Sequence, residues 1–196
     1  LIAFYDIETK YNPNHAGWND YEAMGISAIA IQKMTNNMVL RETFDLDSLH
    51  EMVKYVGNPK HLIGFNNNRF DDNLLYHFLK KQEKISEEDT SFMLKSFDIL
   101  SSLENVTGIK YVTNLDDLCQ ATIGEGKGEI DGSMVPELYE RGEIEKIKEY
   151  CQDDVNVMRK TFMFGAKYGY VLIPPNKGDM FGDLYLKIEV NWSELI

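Results

Sequence analysis

Two acids one residue apart, Asp6 and Glu8, stand at the end of an apolar run, Phe4-Tyr5-Asp6-Ile7-Glu8-Thr9. If that run is a strand, its side chains alternate, so both carboxylates share one face and Tyr5 and Ile7 take the other. Like charges held together on a half-buried strand are costly unless cations neutralise them, and hard divalent ions with oxygen ligands are the natural partners. Strand ends also carry acids that simply face water, and the pair alone does not separate the two readings. Asp71 closes the segment Ile63-Gly64-Phe65-Asn66-Asn67-Asn68-Arg69-Phe70-Asp71, in which a strand delivers an Asn-rich loop and an Asp at a helix start. There Asp71 or Asp72 reads equally well as an N-cap carboxylate. Tyr150 and Asp154, four residues apart in a helical stretch, share one helical face and can address one centre; a core tyrosine on a solvated acidic helix is the plain alternative.

The elements that would position these groups follow from periodicity and turn chemistry. Leu1 to Ile7, Ile26 to Ile31 and Met38 to Phe44 read as strands, the last two around a turn at Asn36-Asn37. Lys10 to Tyr21, rich in Asn, Gly and Pro, reads as a loop bordering the first strand's end. Leu46, Leu49, Met52, Val53 and Val56 have helical spacing, with Asp45 or Asp47 as cap and Gly57-Asn58-Pro59 as stop. His61 to Phe65 is a short buried strand, and Leu74, Leu75, Phe78 and Leu79 mark the next helix. From Asp98 onward the chain reads as helical: Asp116 to Ile123 after an Asn114 cap, a glycine-rich loop at Gly124 to Gly132, then Pro136 to Tyr139 and Glu143 to Tyr168, broken near Gly142 and ended by Gly169. Leu184 to Trp192 alternates and predicts a closing strand after Pro174-Pro175, with Leu186, Ile188, Val190 and Trp192 on one face. The pattern is that of an α/β domain with an antiparallel hairpin.

Composition narrows the partners. At 196 residues, with 43% hydrophobic and 27% charged residues, one sizeable core and a single domain over 1–196 are expected. A net charge of −12 argues against coating nucleic acid through a basic surface, which depends on displacing counterions from many phosphates. It leaves room for an enzyme that grips one chain end, since metal bound by clustered carboxylates inverts the local charge. No run approaches the roughly 18 apolar residues of a membrane span, and no basic-then-apolar leader is present, so an intracellular, cytoplasmic protein is expected. Cys119 and Cys151 form no C-x-x-C pair and read as two reduced structural thiols. The chain opens directly in a strand without Met, which reads as a trimmed chain or a piece of a longer polypeptide.

The ordered combination carries more than its parts. D-x-E on the first strand, N-x-x-x-F-D at a strand-to-helix junction and Y-x-x-x-D on a late helix resemble the DEDD superfamily of 3′-to-5′ exonucleases, DnaQ-like enzymes, in its tyrosine-bearing branch. The histidine branch has His five residues before the last Asp, where this chain has Glu149. The resemblance spans at least Leu1 to Tyr170. It implies a ribonuclease H-like mixed sheet, antiparallel in its first three strands and then parallel, flanked by helices. It implies that Asp6, Glu8, Asp71 and Asp154 hold two divalent ions, Mg²⁺ or Mn²⁺, and that Tyr150 orients or helps deprotonate the attacking water, releasing nucleoside 5′-monophosphates. Asp153 stays a minor contender beside Asp154. Thr9 is implied near the terminal nucleotide, Asn66 and Phe70 along the last bases, and Lys127 at a phosphate; Phe70 reads equally as core and Lys127 as a solvated loop residue. The substrate implied is a single-stranded 3′ end, DNA before RNA. The stretches Gly17-Trp18 to Met24-Gly25 and Lys187 to Trp192 are similar to predicted exonuclease domains found alone or attached to helicases, and family-B DNA polymerase proofreading domains are the other near resemblance. A polymerase or helicase, as partner or fused domain, is therefore one alternative setting; a non-catalytic nucleic-acid binder and a non-nuclease metal protein are the others. Oligomeric state has no signature in the sequence.

Overall fold

A computed structural model of the chain describes residues 1–35, 38–83, 85–126, 128, 130–175 and 184–196. Among these, the main sheet has five strands in the order β3-β2-β1-β4-β5: β1 Ile2–Glu8, β2 Ala28–Met34, β3 Val39–Phe44, β4 Leu62–Gly64 and β5 Ser96–Asp98. β1 pairs antiparallel with β2, and β2 with β3; β4 joins β1 in parallel and β5 joins β4 in parallel. This is the mixed α/β sheet expected. The turn proposed at Asn36-Asn37 lies outside the described residues.

Side-chain alternation along β1 divides the molecule into two cores. Ala3, Tyr5 and Ile7 pack under helices α3 (Leu49–Val56) and α4 (Asp71–Leu79). Ile2 and Phe4 face the other side, covered by α5 (Ile99–Thr107), α6 (Leu115–Ile123), α7 (Val135–Glu140) and the long α8 (Ile144–Tyr168). Ahead of them in the chain, the segment read as loop holds two four-residue helices, α1 (Pro13–Ala16) and α2 (Tyr21–Met24). Pro13 is pre-set for a first helical position, and the Asn12 side chain accepts from Asn14 N–H, so a single turn forms where composition alone suggested none.

Caps set the other boundaries. Asp45 and Ser48 form a reciprocal capping box that opens a 3₁₀ turn ahead of α3. Asn114 accepts from Asp117 N–H at the start of α6. Gly169, at φ 76°, supplies the left-handed cap that ends α8.

Three further elements, all strands, differ from the sequence reading. β5 has only three residues, too few for a periodic signal. Tyr170–Ile173 forms β6, which pairs antiparallel with β7, Leu186–Glu189, in a separate two-stranded sheet. The closing strand is therefore shorter than Leu184 to Trp192, and it does not join the main sheet. Leu186 is exposed, whereas Ile188, Val190 and Trp192 pack on the α8-side core, Trp192 from the first position of a 3₁₀ turn.

Candidate active site

Asp6 and Glu8 sit on the α8 face of β1, where their cross-strand partners on β2 are Ala30 and Ala28. These small residues let α8 lie close to the sheet, and the helix turns Tyr150, Cys151 and Asp154 inward. Asp154 is 1% exposed. Carboxylate oxygens of Asp6, Glu8 and Asp154 all lie within 4.8 Å of one another. Such a set matches the oxygen-rich, negatively charged cage that hard divalent ions take, and two of its members come from a rigid strand and the third from a long helix. The Cys151 thiol lies 3.4 Å from the Asp6 carbonyl oxygen. Burial first, then the charges of Asp6 and Glu8, push that thiol's pKa well up, so it stays protonated and acts as a donor.

Asp71 occupies the first turn of α4 and is buried, but it is not one of that close group. Its carboxyl is pushed far above the usual range by burial, then by Asp6 and Asp72, so Asp6 is the strongest charge acting on it. Neither Asp71 nor Asp72 caps α4 through its side chain, since the cap position is Phe70 and makes no such bond. Asp72 turns to the opposite core: it accepts from the Tyr5 hydroxyl, from Asn67 Nδ2 at 3.1 Å and from Ser96 Oγ at 2.8 Å. Asp153 is exposed, on the outer side of α8.

The Asn-rich loop is held by a residue the sequence reading passed over. Asp98, at the end of β5, accepts from Asn66 N–H at 2.8 Å and Asn68 N–H at 3.4 Å while capping α5 through Ser101. An Asp immediately before Ile-Leu-Ser-Ser is an N-cap signal; its second duty to a loop 32 residues upstream has no local signature. The same loop presses on β4: a Cβ built on Gly64 would stand 2.7 Å from Asn67 Cγ. Gly64→Ala is accordingly expected to cost about 1–3 kcal/mol, because Asn67 is fixed by Asp72 and Ser96 and has nowhere to move. Chemical denaturation of the two proteins measures it, and an unchanged midpoint would show that the loop is slacker than this contact implies.

A cavity of about 1080 Å³ opens over the carboxylates, with Asp6, Glu8, Asn66, Tyr150 and Asp154 in its wall. Asp116, Asp117 and Asp131 add acids to the wall, which the sequence reading did not assign to the site. Thr9 and Phe70, expected at the substrate, are not among the lining residues: Thr9 is buried and donates to Tyr11 O, and Phe70 is half-buried with its ring against Trp18. Lys127 lies outside the described residues.

Residues 49–168, which include Asp71, Tyr150 and Asp154, match the family model described as a predicted 3′-5′ exonuclease related to the exonuclease domain of PolB. The chain belongs to that family. Among solved structures, this exonuclease domain superposes on one described as an "ExoI/SSB-Ct complex" with TM-score 0.50 and 13% identity, over 85% of this chain and 41% of the other. That likeness fixes the fold as ribonuclease H-like, as in ExoI. A structure of exonuclease I with the inhibitor BCBP is similar at TM-score 0.48 and 13% identity, again over 85% of this chain and 41% of that one. The exonuclease domain thus spans 41% of the length of those exonuclease I chains. No match is found among curated proteins. Among the described residues of the exonuclease, no helix is long and apolar enough to cross a membrane.

Proposed function

We propose that this chain is a metal-dependent 3′-to-5′ exonuclease of the tyrosine-bearing DEDD branch, acting as one domain on single-stranded 3′ ends, DNA before RNA, and releasing nucleoside 5′-monophosphates. The observation that carries the reading is the convergence of Asp6, Glu8 and Asp154 within 4.8 Å in the wall of a cavity that Tyr150 also lines. Asp6, Glu8 and Asp154 are the residues that would hold divalent ions, and Asp71, outside that close group but under the charge of Asp6, would be the fourth donor. Mg²⁺ or Mn²⁺ bound there would supply Lewis acidity for the attacking and leaving oxygens of an in-line displacement.

The chain's own groups do the rest. Three acids drawn within 4.8 Å of one another have no use in a purely hydrophobic or basic nucleic-acid groove, which disfavours a passive binder. Tyr150, fixed by burial on α8, lines the cavity, where its hydroxyl would orient a water toward the terminal phosphorus by hydrogen bonding. Asn66, its backbone N–H held by Asp98 and its Oδ1 accepting from Arg69, would offer its amide NH₂ to the last nucleotide. The family's relation to the PolB exonuclease domain supports a polymerase as the larger setting, and Cys119 and Cys151, buried and joined in no disulfide, suit a reducing, intracellular compartment.

Oligonucleotides labelled at either end test this. With Mg²⁺ or Mn²⁺, a 3′ label should leave at once as mononucleotide and a 5′ label should shorten as a ladder, both stopped by a chelator. Release of the 5′ label first, or no release from DNA or RNA with either ion, would remove the reading.

A further inference from the structure

Two non-glycine residues among those described have positive φ, Asn66 at 60° and Tyr111 at 50°. Both line the cavity over the carboxylates. Left-handed backbone is disfavoured for a bulky aromatic residue and persists only where its surroundings over-determine it; such strain gathers at functional sites. One ion pair holds both residues. Glu104, buried on α5, accepts from Tyr111 N–H at 2.7 Å and from Arg69 Nη1 at 3.1 Å, and the same Nη1 lies 3.3 Å from Asn66 Oδ1. Arg69 also stacks its guanidinium on the Tyr111 ring, 4.9 Å from the centroid.

The strain is not explained by packing, because Tyr111 is 68% exposed and belongs to neither core. An exposed tyrosine with a cation behind it, presented to a groove, is a surface for a flat aromatic group. Resting on the exonuclease reading, we propose that Tyr111 is a stacking platform for an unpaired nucleobase of the strand in the groove, presented together with the Asn66 amide by the Arg69–Glu104 pair. Stacking suits this groove for a further reason. Its wall is rich in Asp, so away from bound cations it repels phosphates, and base faces are the part of the strand that carries no charge. The platform is indifferent to sequence, since every base has a π-face.

Tyr111→Gly separates this from a structural role. Glycine accepts φ near 50° without strain and keeps the backbone N–H to Glu104, so the melting temperature should hold or rise. The KM for oligo-dT should rise about 10-fold, with kcat moving far less, and binding of fluorescein-labelled oligo-dT, followed by anisotropy, should weaken to match. Tyr111→Trp should restore both. Unchanged KM and unchanged anisotropy in Tyr111→Gly would overturn the platform, and so would a fall in melting temperature that Tyr111→Trp does not repair. Hydrolysis by the parent protein alongside an unaffected Tyr111→Gly removes this inference alone; a parent that hydrolyses nothing removes the exonuclease reading, while anisotropy still decides the platform.

Discussion

Asp154→Asn is expected to lower mononucleotide release from a single-stranded oligonucleotide by about 10³-fold or more, the scale of losing a group that acts only in the transition state. The substitution keeps size and most hydrogen-bonding capacity, so the fold should survive, yet it removes one of three charges drawn within 4.8 Å of each other. With that charge goes affinity for a divalent ion, and this has a readout apart from catalysis. A ligand that binds only the folded state, at about 100 times its Kd, stabilises by roughly 2.7 kcal/mol. In a domain of this size that is a rise of about 5 °C or more in melting temperature. The parent protein should show the rise with Mn²⁺ and lose it with chelator; Asp154→Asn should show little of it. Asp153→Asn, changing the exposed neighbour, should leave both readouts near the parent's. Equal losses in the two variants, or full activity in Asp154→Asn, would sink the assignment.

The second large effect is on stability. Trp192→Ala should cost about 3–5 kcal/mol, as large aromatic truncations in cores do, a fall of roughly 10 °C in melting temperature. Trp192 is 2% exposed and stacks on Phe162 of α8 at 5.2 Å between centroids and 4° between planes. Its indole Nε1 donates to Ser102 Oγ at 3.0 Å. Gly165 exists at its position to admit that ring, since a Cβ there would stand 2.5 Å from Trp192 Cε3. Truncation therefore opens a void under the helix that carries Tyr150 and Asp154 and leaves Ser102 without its donor. Trp192→Phe keeps most of the stack and should cost clearly less. Thermal or urea unfolding decides it, and a shift under about 2 °C for Trp192→Ala would mean that the chain end contributes little to the core.

These two residues also mark what the sequence makes visible. The shared face of Asp6 and Glu8 follows from the pleat of one strand, and that of Tyr150 and Asp154 from one turn of one helix; both are local rules, and the groups lie where those rules put them. Asp71 was legible as a helix-start acid, but its relation to Asp6 depends on how β4 abuts β1. Asp98, Glu104 and Tyr111 carry no such mark. Asp98 holds a loop 32 residues away, and Arg69 meets Glu104 across 35 residues, so their roles arise only when separate elements close on one another. β5 and β6 were missed because three or four residues are too few to show an alternation, and β6 follows α8 after a single glycine. Thr9 and Phe70 were expected at the substrate from resemblance; Thr9 donates to Tyr11 O and the Phe70 ring meets Trp18.

Ala28 and Ala30 give α8 a smooth floor, with no side chain tall enough to act as a stop. Over these alanines greasy contact is indifferent to direction, whereas a slip by one turn, about 5.4 Å, would bring Tyr150 and Asp154 out of line with Asp6 and Glu8 and carry Gly165 away from the Trp192 ring. A detent against that slip is built from amides and guanidinium groups. Gln32, fully enclosed, donates to Gln152 O and Oε1, Gln152 donates to Glu42 O, and Arg159 donates to Gln32 Oε1 at 2.9 Å. Alignment of the helix with the strand is thus encoded by residues whose identity no motif specifies, and drift at Gln32, Gln152 or Arg159 would put the acids out of phase while leaving each of them in place in the sequence.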